Sequence, residues 1–332
     1  MKSIYWSYKK VLVSLFCALV GATAATVHAG AFPSDGPVRL IVGFTPGGTI
    51  DSTARIVADA LSRRLNQSFV VENRSGANGM IAVRAVAQSK PDGYTLLISN
   101  SSSITVNPLM FKDAGYDPQK DLAPVCTVVT VPFVLLINPN NPRLTGVNDV
   151  QSLVEYARKH PDTVTYGSAG IGNLAHLAGA QLANLSNVRM RHVPYKGTVP
   201  VEMALLSSDI DFGFDTLTGV PHVKANKLKA LAVSTAKRWV DLPDVPAVAE
   251  LGYPGFDIGF WVGVFAPTGT PPAVVEQLNQ ALREVVADPQ VNARLLVQGA
   301  PDPIGVDEFK KKIANELNQN AILLKAANVE AQ

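Results

Sequence analysis

The sequence predicts an α/β protein with parallel-type sheets and two domains, and three observations carry that expectation. Short apolar runs alternate with helical patterns along most of the chain. Turns rich in glycine and hydroxyl residues stand where a strand would feed a helix. The chain has 332 residues, 47% of them hydrophobic, which suffices for two ordinary cores.

Taken in order, the strand candidates are 38–44, 69–72, 94–99, 133–138, 164–167, 190–193, 210–214 and 228–234. The first helix candidate places Ala54, Val57, Leu61 and Leu65 at three- and four-residue steps, so one face packs on a sheet. Arg55, Asp59 and Arg63 occupy another face and are expected to pair at i,i+4. Asp51 or Ser52 is expected to cap this helix. Further helices are expected over 153–159, 174–185, 199–206, 274–286 and 309–326, with Asn173 capping the second of these. Proline-rich connections at 138–142 and 242–256 mark seams in the chain, and no repeat of fixed period interrupts it.

Residues 1–29 read as an export signal. Lys9 and Lys10 form its basic end, 11–20 its apolar core, and Val27-His28-Ala29 a small-residue cleavage site. About ten apolar residues fall short of the roughly twenty that a bilayer requires. Cys17 follows the bulky Leu15-Phe16, which argues against lipid attachment there, and a free periplasmic chain beginning near Gly30 is expected. Taking Lys2, Lys9 and Lys10 from the 29 basic residues leaves 26 against 27 acidic ones, so the processed chain is nearly neutral. It has no Lys/Arg run to track a phosphate backbone, which excludes nucleic acid as an expected partner. Cys126 alone survives processing, so no intrachain disulfide can form.

Reactive constellations are mostly missing. His160, His176, His192 and His222 lack metal-type spacing to one another or to Cys126, so no metal is expected. Tyr166 stands where a nucleophile elbow around Ser168 would need glycine. The glycines from Gly167 to Gly172 run G-x-x-G-x-G, not the dinucleotide G-x-G-x-x-G, and Gly197-Thr198 lacks the P-loop Lys-Ser/Thr pair, so no cofactor is expected. A periplasmic hydrolase using Ser168 and His176 is the weaker alternative.

What recurs instead is a small-residue turn opening a helix, at 47–49, 76–79, 167–173 and 195–198. Helix starts expose N–H groups without intrahelical partners and the positive end of the peptide dipoles, so they hold anions without a side-chain cation. Taken singly, each of these turns also serves as an ordinary capped connection.

Taken together, the stretches "GFTPGGTIDSTAR", "VVENRSGANGMIA", "KPDGYTLL", "YGSAGIGNLAHLA", "HVPYKGTVP", "LPDVPAVAELGYPGF" and "WVGVFAPTGTPPAVVEQLN" are more specific. In this order, from about Pro37 to the C-terminus, they resemble the substrate-binding receptors of tripartite tricarboxylate transporters, also called the Bug family. The resemblance implies a periplasmic-binding-protein fold of type II, two α/β lobes joined by two crossing strands with a ligand cleft between them. Lobe 1 would comprise 30–132 and 264–332, lobe 2 would comprise 133–263, and the crossings would lie near 131–136 and 261–266. The implied function is that of a monomeric, non-enzymatic periplasmic receptor. It would capture a small organic carboxylate and deliver it to a membrane permease of one large and one small subunit. A ligand-sensing partner of a membrane signalling protein is the other reading of the same fold.

Carried over by position, the resemblance implies a first-lobe anion loop following Phe44, with Gly47, Gly48, Thr49, Ile50 and Asp51. A second-lobe loop would contain Ser168, Ala169, Gly170 and Asn173. Asn100 and Ser101 would edge the cleft, and Tyr195 and Thr198 would open another helix there. Asp215 would meet a ligand ammonium or hydroxyl, or orient a neighbouring loop. His176 would pack or touch ligand, and Lys196 would point to solvent. Ile50 and Asn173 depart from the family's usual hydroxyl residues, and with Phe44, Ile50 would favour a more apolar acid. Charge-assisted hydrogen bonds contribute about 1.5–3 kcal/mol each, so about four to six donors could support micromolar binding, about 8 kcal/mol, without a buried arginine.

Overall fold

The computed structural model describes residues 32–33, 36–327 and 329–331. The expected export signal, 1–29, lies outside the described residues. From Gly36 onward the chain forms two sheets. The first has six strands: β1 (Val38–Val42), β2 (Phe69–Asn73), β3 (Thr95–Asn100), β4 (Leu122–Pro132), β10 (Gly259–Pro267) and β11 (Ala300–Pro301), in the order β11-β4-β10-β3-β1-β2. The second has five: β5 (Val134–Ile137), β6 (Thr165–Ser168), β7 (Arg191–Pro194), β8 (Phe212–Asp215) and β9 (Lys229–Val233), in the order β7-β6-β8-β5-β9.

Both sheets are mixed, where the alternation pattern predicts parallel ones. β1 runs parallel to β2 and β3, and β6 runs parallel to β7 and β8. β10 is antiparallel to β3 and β4, and β5 is antiparallel to β8 and β9. The exceptions have one cause: β5 and β10 are the strands that arrive from the other sheet. They start at the edge where their neighbours end, so the C-terminal ends of the remaining main strands face the seam between lobes.

The chain passes from the first sheet to the second at Phe133, between β4 and β5. The return differs. β10 lies wholly in the first sheet, pairing Gly259 with Pro132 and Pro267 with Leu122, so residues 259–263 join the sheet of lobe 1 and not lobe 2. The chain changes lobe before β10, where the Ser234 N–H donates to the Phe133 carbonyl and the Ile258 N–H to the Ser234 carbonyl. β4 itself was not among the expected strands; Val125, Cys126, Val128, Val129 and Val131 are all buried, so its period-2 alternation is lost.

The helix Thr49–Leu65 buries Ala54, Val57 and Leu61 completely against the first sheet. Of the expected charge pairs, Asp59–Arg63 forms and Arg55 turns to another partner. Arg55 meets Asp51 at 2.9 Å, while Asp59 meets Arg63 and Arg294. Asp51 wins Arg55 because it is fixed in place by other bonds, described below. Helices Val150–Lys159, Leu174–Leu185, Thr198–Leu206, Pro272–Ala287 and Val306–Ala326 cover the remaining expected segments.

Candidate functional site

The C-terminal strand ends of the two sheets enclose a cavity of about 30 Å³, room for about two water molecules. Lobe 1 contributes Phe44, Gly48, Thr49, Ile50 and Asn100, and lobe 2 contributes Ser168, Ala169, Asn173, Thr198 and Asp215. These ten were singled out in the sequence. Thr45, Phe133, Ala175, Val201, Phe214, Thr216 and Phe260 line it too. Phe133 and Phe260 flank the crossings and have ring centroids 5.2 Å apart, a non-local meeting with no local signature. No lysine or arginine is among the lining residues.

The first-lobe loop is built by a brace behind it. Gly47 takes φ +86°, and its N–H donates to Asp51 Oδ2 at 2.9 Å. Asn73 Nδ2 donates to Asp51 Oδ1 and Arg55 Nε to Oδ2. Burial pushes the Asp51 carboxyl up, but these bonds outweigh it and hold its pKa below the ordinary carboxylate value. Asp51 is therefore not the N-cap, and neither is Ser52. Gly48 is the cap residue, without a side-chain bond, and Asp51 reaches back from the third helical position. Neither Gly47 nor Asp51 lines the cavity. The N–H groups of Gly48, Thr49 and Ile50 donate to no protein group among the described residues.

The second-lobe loop has the opposite character. Gly170 N–H donates to Ser168 Oγ, Gly172 N–H to His176 Nδ1, and Asn173 N–H to the Gly170 carbonyl. Leu174 N–H donates to Ser102 Oγ of lobe 1, and Ala175 N–H to Asn173 Oδ1, the expected cap. The loop's amides are largely used within the protein. Beneath it, His176 and His192 stack at 3.8 Å, with His176 and Tyr166 at 6.2 Å. Burial lowers the His176 pKa to about 4; burial and then the charge of His176 lower that of His192 to about 3. His176 thus packs behind the loop, and the imidazole that meets Ser168 is His192, whose Nε2 lies 2.7 Å from Oγ.

Ser101 is buried beside the cavity without lining it, at the start of a single π turn, Ser102–Val106, whose Ser103 is bonded to Asn100 Oδ1. Gly170 and Tyr195 line an adjoining cavity of about 270 Å³ together with Phe44, Ala169 and Lys196.

The lobes touch directly. Thr49 Oγ1 donates to Thr216 Oγ1 at 2.7 Å, and Asn173 Nδ2 to Asn78 Oδ1 at 3.2 Å. At Gly48 a Cβ would lie 2.7 Å from Thr198 Oγ1, so glycine sets how closely the lobes approach. Behind Thr216 the hydroxyls continue: Thr216 meets Thr218 at 2.7 Å, and Thr218 donates to Glu202 Oε1 at 2.6 Å. Asp215 is 1% exposed; its Oδ1 accepts the Thr216 N–H and its Oδ2 has no partner. Burial pushes its carboxyl well above the ordinary value, the neighbouring Glu202 adds to this, and the Thr216 N–H opposes it.

Two α/β lobes joined at two crossings, with a cavity at the strand ends between them, define a periplasmic-binding-protein fold of type II. Residues 53–329 match the family described as "Tripartite tricarboxylate transporter family receptor", and the chain belongs to that family. It is 34% identical over 311 residues to Protein BugT of Bordetella pertussis, covering 93% of this chain and 94% of BugT. The solved structure of the periplasmic binding protein BugD has a TM-score of 0.84 at 35% identity, covering 90% of this chain and all of BugD. That of R. palustris Rpa4515 with adipate has a TM-score of 0.86 at 33% identity, covering 91% of this chain and all of Rpa4515.

Proposed function

We propose that this chain is a periplasmic receptor that closes its two lobes on a small organic carboxylate and presents it to a membrane permease of one large and one small subunit. The observation that carries the reading is the cavity between the lobes: cation-free, and edged by the unpartnered amides of Gly48, Thr49 and Ile50 at a helix start. Hydroxyls of Thr45 and Thr198 supply further donors. The apolar walls, Phe44, Ile50, Phe133 and Phe260, favour an acid with a hydrocarbon body. Adipate in Rpa4515 supports that class of ligand.

With room for about two waters, the cavity must widen to admit such an acid, so lobe opening precedes capture and closure is the state a permease reads. The protein binds without turnover. Ser168 has an imidazole beside it, but one held near pKa 3 is too weak a base to activate a hydroxyl at neutral pH. The lobes divide near Phe133 on the outward path and between Ser234 and Gly259 on the return.

Calorimetry and thermal shift with acetate, malate, adipate, benzoate and citrate test the reading. At least one acid is expected to bind with micromolar affinity and raise Tm. Silence from every mono-, di- and tricarboxylate would overturn it.

A further inference from the structure

In a cavity without a cation, a carboxylate ligand and an ionised Asp215 would repel each other. The surroundings of Asp215 show how that conflict is avoided. Its Oδ1 is occupied by the Thr216 N–H, while Oδ2 is buried and receives no N–H or O–H. A Cβ on Gly219 would lie 2.7 Å from Oδ2, and the same point would meet Leu136 of β5, so backbone and an aliphatic chain close that side to solvent. From the helix Thr198–Leu206 the group facing Asp215 is the carboxyl of Glu202, only 8% exposed. Thr218 donates to Glu202 Oε1, and the His222 ring stands 3.8 Å from its Oε2. No lysine or arginine is paired with either acid among the described residues. A carboxyl group buried with one oxygen unpaired, facing a second acid and no lysine or arginine, keeps its proton.

The geometry points to proton-linked capture: Asp215, facing Glu202, retains a proton at the cavity wall, and this receptor binds its organic acid only while that proton is present. The inference rests on the carboxylate reading above and assigns to Asp215 the role of setting when the site accepts an anion. The proton comes from solvent and sits on Oδ2 of Asp215, the oxygen left without a donor; its loss places a negative charge beside the ligand. Burial and the neighbouring acid both raise the Asp215 pKa, which agrees with this arrangement. The opposite arrangement, an ionised Asp215 pairing with a ligand ammonium, would make the aspartate charge essential.

Two measurements on the whole processed chain separate these outcomes. Infrared difference spectra of wild type against Asp215→Asn should show a protonated-carboxyl band at pH 7 that the variant lacks, and Glu202→Gln should move its titration to lower pH. Calorimetry with adipate and with malate between pH 5.5 and 9.5 should show wild-type affinity falling about tenfold per pH unit once the band disappears. Asp215→Asn, always neutral, should show no such pH dependence between pH 5.5 and 9.5. An absent band at pH 7 with binding intact overturns the retained proton and the linkage, and leaves the carboxylate reading standing. An Asp215→Asn affinity that falls with pH as the wild type's does, or a wild-type affinity unchanged where the band titrates away, overturns the linkage. Binding of neither acid with the band present removes the carboxylate reading and the linkage with it.

Discussion

The loop from Thr45 to Ile50 and the loop from Ser168 to Asn173 look alike as sequence, small-residue turns opening a helix at the end of a strand, yet they are built for different tasks. In the first, a carboxylate behind the loop takes one amide and leaves Gly48, Thr49 and Ile50 facing the cavity. In the second, the amides of Gly170, Gly172, Asn173, Leu174 and Ala175 bond within the loop, to its cap, to His176 or across to Ser102. A turn whose donors are already used is a wall and a closing contact, and a turn whose donors are free is a grip.

The largest expected effect that separates them is acid sensitivity. His176 and His192, beneath the second loop, are neutral in the fold with pKa values near 4 and 3, against about 6.5 unfolded. Both folded values are depressed, so as pH falls below about 6.5 the unfolded chain takes up protons that the fold refuses. Stability is full above that value and is lost on acidification at up to about 1.4 kcal/mol per imidazole per pH unit. Asp51 contributes with the same sign but in a lower pH window. Its folded pKa lies below 3.8, so its stabilisation persists until pH falls through that region. Hydrogen exchange at pH 6.5 and 4.5 should therefore show the second loop opening while the first stays protected, and His176→Gln/His192→Gln should flatten the pH dependence. Equal opening of both loops would erase the distinction.

Next in size is substitution at the close approach. Gly48 has φ −76°, which any residue adopts, so Gly48→Leu strains no backbone and acts by filling the space before Thr198. Affinity for the best-binding acid should fall about 100-fold, about 2.7 kcal/mol, with Tm nearly unchanged. Asn173→Ala should do the reverse: losing the cap costs about 1 kcal/mol of stability, while affinity changes by less than about fivefold. Calorimetry and thermal melts on the same two variants would break the comparison if the pattern came out exchanged.

What could be read from the sequence follows the same division between local and non-local causes. The stripe of Ala54, Val57 and Leu61 and the cap at Asn173 depend on spacing within one helix, and both stand in the structure. β4 escaped notice because its burial removes the polar alternation that marks a half-buried strand. The return crossing was misplaced because an apolar, aromatic stretch, 260–267, suits an inner strand as well as a linker; only the Phe133–Ser234–Ile258 bonds decide. Ten of the cavity residues were legible from family strings. Asp51 and His176 belong to the same strings but hold the loops from behind, and sequence order does not distinguish the two faces of a loop. The meeting of Ser168 with His192, 24 positions away, depends on β6 lying beside β7.

Thr49 joins the two regions and carries the smallest expected effect. Its hydroxyl is the first donor of a chain, Thr49 to Thr216 to Thr218 to Glu202, in which each oxygen accepts from one neighbour and donates to the next. The Thr218 donation to Glu202 Oε1 fixes that direction, because each hydroxyl has one proton to give. Thr49 therefore gives its proton to the opposite lobe, which leaves its backbone N–H as the donor this residue would offer a ligand under the proposed function. Thr49→Val keeps the shape and that N–H while deleting the interlobe bond. A neutral hydrogen bond contributes about 1 kcal/mol, so closure should weaken and affinity fall about fivefold. A larger dissociation rate with an unchanged association rate in stopped-flow binding would place the loss in the closed state. A loss approaching that of Gly48→Leu would instead mean that the hydroxyl itself touches the ligand, and the direction of the chain would have to be reversed.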